Sequence, residues 1–346
     1  MIESIKIQNF TAFQDLSLKC SKGLNVFIGT NSTGKSHLLK LMYTVCSANK
    51  PVEPKHSLDP ARNILDKLNG VFKPEGKVGR LCRNDAQKAS VRADIIPERF
   101  IGFGISNDLD EIIISENQEY EKYSLVPVFI PPKEMLSNFP GFTSLYLHRE
   151  LTIDETYFDL CQALEMPRLK GEQNAQIQGL LNSIKSACEG EFLFVKEQRF
   201  YFKPVKGNML EAELSAEGFR KLGILQRLLQ NGRIQPGISG PLFWDEPEAN
   251  LNPKLVKTVV TILLELARKG QQIFLATHDY VLLKWLDLMV KPEDDILFHA
   301  LYHNDKGEIE LNSTDDYLKI CPNAIDDAYA DLVDSEIGNS MGDLGK

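Results

Sequence analysis

The chain has 346 residues, 43% of them hydrophobic and 25% charged, which excludes collagen-like, disulfide-scaffold and wholly disordered chains and suits one large domain or two lobes sharing a core. Thirty-nine Lys and Arg stand against 48 Asp and Glu, for a net charge of −9 and a pI near 5.3; a global basic footprint for nucleic acid is missing, and only a local basic groove stays open. No apolar run reaches the roughly 18–20 residues that span a bilayer, and MIESIKIQNF lacks the basic and apolar regions of a signal peptide, so the expectation is a soluble, cytoplasmic protein with no membrane partner.

Taken in chain order, IKIQNF alternates with period two, a turn falls at Ser21-Lys22-Gly23, and the apolar run Leu24 to Ile28 reads as a buried strand. Gly29-Thr30-Asn31-Ser32-Thr33-Gly34-Lys35-Ser36 follows. After it, HLLKLMYTVCSA carries apolar residues at 38, 39, 41, 42 and 45, which is helical spacing. Residues 51–104 look irregular and mildly basic: Lys73, Lys77, Arg80, Arg83, Lys88, Arg92 and Arg99 are offset by four acids. They read either as a solvated surface or as a patch for nucleic acid or a partner. Short β-type runs at 91–96, 100–105 and 111–115, with VPVFIP at 126–131, suggest an antiparallel lobe beside the main sheet.

Residues 133 to about 188 look helical, but no heptad pattern lasts long enough for a coiled coil. Residues 192–205 read as a hairpin, and 212–232 as a turn followed by an amphipathic helix ending at Gly232. Next come a buried strand PLFWD, a helix NPKLVKTVVTILLELARKG, a buried strand QIFLATHD and a helix YVLLKWLDLM. That β-α-β-α succession implies a parallel sheet with crossovers. From Asp327 onward, five acids against one base predict a frayed or partner-docked tail. Six widely spaced cysteines with no CxxC read as reduced thiols.

Residues 29–36 match G-x-x-x-x-G-K-[ST] in full and sit between a buried strand and a helix. Gly29 and Gly34 let the backbone curl so that the N–H groups of Asn31, Ser32, Thr33 and the helix start point at phosphate oxygens. Lys35 reaches the β and γ phosphates, and Ser36 ligates Mg²⁺. Asp245 and Glu246 end a hydrophobic strand. Asp245 suits Mg²⁺, and Glu246 suits a general base or water-positioning group. Thr277-His278-Asp279 ends the next strand, where ligands gather at the edge of a parallel sheet; His278 is the candidate γ-phosphate sensor, with a helix-capping histidine as the alternative. Asn49-Lys50-Pro51-Val52 lacks the final acid of a guanine motif, which favours ATP.

Together these residues resemble the ABC-type ATPase superfamily, in particular its soluble branch of SMC, RecF and overcoming-lysogenization-defect (OLD) ATPases. The likeness rests on Asn9-Phe10 and Gly23-Leu24-Asn25 before the loop, on Asp245-Glu-Pro-Glu-Ala-Asn-Leu-Asn-Pro253 as Walker B and D-loop, and on Thr277-His278 as H-loop. It covers residues 1–45 and 190–290. It implies an α/β ABC-type head with a mixed or parallel core sheet, an antiparallel β lobe, a helical insertion and no long coiled coil. The single head divides into 1–132 with the phosphate loop, an insertion 133–190, a lobe 191–325 and an acidic tail 326–346.

In that branch a signature loop of one protomer closes on the nucleotide of another, giving a homodimer or higher oligomer with ATP between heads. Here Leu214-Ser215-Ala216-Glu217-Gly218 is similar to LSGGQ without its paired glycines; by resemblance Ser215 and Gly218 contact the partner-bound γ-phosphate, and an ordinary helix cap is the alternative. The Q-loop position, around Lys133-Glu134, contains no glutamine. About 210 residues separate Lys35 from Asp245, too few for SMC arms. The 68 residues after His278 are too few for a Toprim nuclease, so the resemblance extends to ATPase subunits of two-gene antiphage systems such as PARIS and Septu. The expected function is an ATP-hydrolysing sensor or scaffold that controls a separate, nuclease-type effector. A RecF-like DNA repair clamp is the alternative, with DNA as its ligand, and a slowly turning scaffold is a third.

Overall fold

The computed structural model describes residues 1–48, 59–96, 98–122, 126–149, 151–170, 175–195 and 199–342. The guanine-motif comparison at 49–52 lies outside them. The chain opens with a hairpin, β1 (Ile2–Phe10) and β2 (Phe13–Lys19), then β3 (Leu24–Ile28), α1 (Lys35–Ser47) and α2 (Pro60–Phe72). Three antiparallel strands follow, β4 (Lys88–Ile95), β5 (Arg99–Ser106) and β6 (Ile112–Gln118), and then the short β7 (Val128–Ile130). Helices α3 (Phe142–His148), α4 (Glu155–Glu165) and α5 (Ala175–Ala187) lead to β8 (Gly190–Val195), β9 (Arg199–Pro204) and β10 (Leu210–Glu211). The remainder is α6 (Glu217–Gln230), β11 (Leu242–Asp245), α7 (Pro253–Arg268), β12 (Ile273–Thr277), α8 (Tyr280–Met289), β13 (Ile296–His303), β14 (Ile309–Thr314) and α9 (Ala324–Gly342).

Three sheets result. The first is antiparallel, in the order β2-β1-β4-β5-β6. The second is the small meander β10-β9-β8, and the third is a six-stranded sheet, β14-β13-β3-β12-β11-β7, parallel except for its β14 edge. β3, β11 and β12 are buried along their whole length, as strands covered on both faces must be. Alternation then divides their side chains. Phe27, Phe129, Phe243 and Phe274 pack with α1 and the antiparallel sheet, while Val26, Ile28, Trp244 and Leu275 pack with α6, α7 and α8. Phe243 lies 5.0 Å from Phe274 ring to ring, with Tyr43 of α1 edge-on at 5.9 Å. Burying one such ring contributes about 1.5–3 kcal/mol, so α1, which follows the glycine loop, is anchored firmly.

Several expectations are corrected. Residues 60–72, expected to be irregular, form α2: Asp59 accepts from the Ala61 N–H, Pro60 occupies the first turn, and Ile64, Leu68 and Val71 turn inward. The acidic tail is a helix for most of its length. Asn323 accepts from the Asp326 N–H, the Tyr317 hydroxyl donates to Asp326, and Tyr329 stacks on Tyr280 at 3.8 Å. Its start is therefore fixed and not frayed, while Leu332, Val333 and Ile337 stay exposed. Strand β13 extends the parallel sheet and β14 closes its edge antiparallel, both from a stretch that carried no expectation. Among the described residues, no helix is long and apolar enough to cross a membrane.

Candidate nucleotide site

The register of the parallel sheet creates the site. Ile28 pairs with Thr277, Asp245 with Ala276, and Trp244 with Ile130, so the C-terminal ends of β3, β12, β11 and β7 lie along one edge. Four loops emerge there: 29–36, 278–279, 246–252 and the segment through Glu134.

The 29–36 loop is tightly built. Gly34 sits at φ +83° and a Cβ there would meet the Phe13 ring at 2.6 Å; at Gly29 a Cβ would strike the Leu301 carbonyl at 2.2 Å. Only glycine fits either position. Ser32 is also left-handed, at φ 66°. Buried Thr33 donates to the Thr30 carbonyl at 2.9 Å, and Lys35 Nζ donates to the carbonyls of Gly29 and Thr30 at 2.7 and 2.8 Å. Burial lowers the Lys35 pKa, against the pull of Asp245, Glu246 and Glu248. Asn31 and Ser32 are exposed at the rim. Gly34 occupies the N-cap of α1 without a side-chain cap, which leaves the N–H groups of the first turn facing the loop.

Asp245 and Glu246 adopt different environments although adjacent. Asp245 is 3% exposed, and burial pushes its carboxyl up to about 6 while the Ser36 hydroxyl bonds to it and holds it down. Its Oδ1 is buried without a hydrogen-bond partner. An orphaned buried carboxylate oxygen beside a serine hydroxyl suits a hard, oxygen-seeking cation such as Mg²⁺. Glu246 turns outward through a left-handed backbone, φ 47°, and its Oε1 lies 3.3 Å from His278 Nδ1. Its N–H donates to the Ala276 carbonyl at 2.9 Å, and its own carbonyl accepts from Lys221 Nζ at 3.0 Å.

The structure thus brings Gly29–Ser36, Asp245, Glu246 and His278 to one edge. Ser215 and Gly218 have other partners. Ser215 Oγ donates to the Ala212 carbonyl at 2.7 Å, and a Cβ on Gly218 would lie 3.1 Å from Leu251 and 3.2 Å from Leu255. Gly218 therefore lets α6 pack on the D-loop, where Asn250 Nδ2 donates to Glu217 at 2.8 Å. Among the described residues, no hydrogen bond joins Ser215 or Gly218 to the 29–36 loop.

Sequence reading assigned no role to Glu248, Glu134, Arg220 or Lys221. Glu248 is buried, accepts from Thr277 Oγ1 at 2.7 Å and the His278 N–H at 3.4 Å, and is pushed by burial up to about 7; it fixes the backbone that carries His278. Glu134 is buried and bound by Arg220 at 2.7 Å. Lys221 is a cation in the apolar stripe of α6, and that misplaced charge was the available signal. The basic residues at 73–99 are partly neutralised, since Arg83 pairs with Asp85 and Arg92 with Asp94 and Glu116.

Comparison with known proteins fits this geometry. A family described as "AAA ATPase domain" matches residues 1–130, and one described as "AAA domain, putative AbiEii toxin, Type IV TA system" matches residues 83–284, more than half of the chain. The chain belongs to this AAA-domain family. The AAA-family chain also shares its fold with solved SMC heads. An SMC head bound to the C-winged helix domain of ScpA superposes with a TM-score of 0.57 at 14% identity, over 90% of this chain and 97% of that one. An SMC head with a coiled coil and joint from Pyrococcus yayanosii gives 0.58 at 10% identity, over 95% and 99%. Two curated relatives are DNA replication and repair proteins RecF. The one from Alkaliphilus oremlandii (strain OhILAs) is 38% identical over 56 residues, and that from Clostridium novyi (strain NT) 43% over 49. These stretches are 16% and 14% of this chain and span only 15% and 13% of the two RecF proteins.

Proposed function

We propose that this protein binds and hydrolyses Mg²⁺-ATP between two copies of itself and uses that cycle to control a separate effector, in bacterial antiphage defence. The observation that carries the reading is the pairing of Asp245 and Glu246 at the sheet edge beside the 29–36 loop: one carboxylate is buried with an unpartnered oxygen, and its neighbour is turned out towards His278. Ser36 and Asp245 would hold Mg²⁺, which would neutralise phosphate charge. Lys35 and the N–H groups of the loop and the α1 start bind phosphate oxygens. Glu246 accepts the proton of the attacking water, and His278 beside it senses the terminal phosphate. Ser215 is presented to the nucleotide of a second copy, and Gly218, packed against Leu251 and Leu255, seats the helix start behind it.

Two features support control of an effector: the toxin and type IV toxin–antitoxin wording of the matched family, and the exposed apolar residues Leu332, Val333 and Ile337 on the acidic α9. Hydrolysis shared between copies makes turnover per molecule rise with protein concentration, whereas a flat dependence would remove the paired-head reading. A DNA clamp is the second reading, favoured by the local RecF matches. It requires ATP-dependent DNA binding with a steep salt slope; the neutralised arginines at 83 and 92 count against it.

A further inference from the structure

Two consecutive cations near the start of α6 reach different parts of the site. Arg220 Nε binds Glu134 Oε1 at 2.7 Å, and its NH1 donates to the Ser215 carbonyl and, at 3.4 Å, to those of Ala212 and Glu213. Glu134 is itself held by Ser137 Oγ and by the N–H groups of Leu136 and Ser137. It follows β7, which pairs with β11 beside Asp245. Arg220 therefore ties the loop bearing Ser215 to the segment that resembles a Q-loop in position and lacks its glutamine.

Lys221 reaches the other way. It is 1% exposed, and burial lowers its pKa against the pull of Glu248, Glu217, Glu246 and Glu134. A buried ammonium is costly unless its bonds are well made. This one donates to the carbonyl of Glu246 at 3.0 Å. A non-glycine residue at φ 47° sits in a region that costs about 1–3 kcal/mol and persists only when its surroundings hold it. Three bonds hold it here: the Glu246 N–H donates to the Ala276 carbonyl, and the Glu246 carbonyl accepts from Lys221 Nζ and, at 3.2 Å, from the Ala249 N–H. Lys221 is the one side-chain donor of the three, so the aim of the Glu246 carboxylate depends in part on the position of α6.

We propose that Arg220 and Lys221 are positioning residues that couple the 212–218 loop to Glu246 of the same chain, so that engagement of Ser215 by nucleotide in a second copy tunes water activation in this copy's own site. The inference rests on the nucleotide-site reading and adds a route between the two sites of a pair. The helix supplies the stiffness. Adjacent residues of one helical turn cannot move independently, so a shift of the loop displaces both bonds together.

The test uses the full chain with Lys221→Met, which keeps the length of the side chain and removes the donor. Expected are equilibrium ATP binding and KM within about twofold of wild type, with kcat down about tenfold, equivalent to roughly 1.4 kcal/mol of transition-state stabilisation. Wild type is expected to give a sigmoidal dependence on ATP, and the variant to fall to a Hill coefficient of about 1. A purely structural lysine would lower the melting temperature and leave kcat per folded molecule and the curve shape unchanged, which overturns the proposal. So does a wild type with no cooperativity. Should Lys221→Met not fold, Arg220→Met carries the same test from a partly exposed position. A well-folded wild type that binds no ATP overturns the site reading itself, an outcome distinct from loss of coupling alone.

Discussion

The 29–36 loop and the 212–218 loop are both short, glycine-containing turns that lead into helices, yet they are finished to different degrees. In the first, Thr33 and Lys35 are buried and their polar groups bond within the loop. In the second, Leu214 is 73% exposed beside Ser215, and the ordered contacts lie behind the loop, through Arg220, Gly218 and Asn250. In the proposed reading, one loop would hold nucleotide with groups from its own chain. The other is braced from behind and leaves Leu214 exposed at its tip, as the proposed pairing of two copies requires.

The sharpest way to break this contrast is to disable each loop separately. Lys35→Ala removes the charge that the proposed site would turn to the phosphates and is expected to weaken ATP binding by about 100-fold or more, since charge-assisted bonds to phosphate are among the strongest available. Equilibrium titration with a fluorescent ATP analogue measures it, and near-normal affinity would contradict the role of the first loop. Ser215→Arg should leave single-copy binding within about twofold and cut hydrolysis about tenfold or more by blocking the outward face. Equal loss of binding would mean that the second loop serves its own chain's nucleotide.

A smaller effect concerns Asp245. Its folded pKa, about 6, lies above the roughly 3.9 of a free aspartate, so between these values the folded state keeps a proton that the unfolded chain has lost. Stability then falls as pH rises through that window, and the penalty is fully present above it. Asp245→Asn removes the buried charge. Without nucleotide it should raise the melting temperature at pH 8 by a few degrees, on the order of 1–3 kcal/mol, with little gain at pH 4, and it should abolish Mg²⁺-dependent turnover. Thermal melts at the two pH values check the sign; a variant less stable at pH 8 would show that the carboxylate is already satisfied.

The sequence made the first loop legible and only part of the second. Spacing alone located Gly29–Ser36, Asp245, Glu246 and His278, because each ends a strand whose apolar run is unmistakable. Ser215 was singled out only by its place in a resemblance. What braces it was hidden, since Arg220 to Glu134 and Lys221 to the Glu246 carbonyl join residues 86 and 25 positions apart, and only the folded chain brings them together. Helix α2 was missed for a local reason: its buried face is Ile64, Leu68 and Val71 interrupted by the charged Lys67, behind a proline. Strand β13 was missed because His299 interrupts its apolar run; burial lowers its imidazole to about 3, and its ring nitrogens bond Ser313 at 2.8 Å and Asn25 at 3.3 Å.

The central claim is that nucleotide bridges two copies through these unlike loops. Sedimentation of Glu246→Gln with saturating Mg²⁺-ATP addresses it directly, because that variant keeps the side-chain shape and loses the base. The account predicts a stable dimer that forms with ATP, disappears with ADP and is abolished when Ser215→Arg is added. A particle that stays monomeric with ATP bound, or a dimer indifferent to Ser215→Arg, would contradict it.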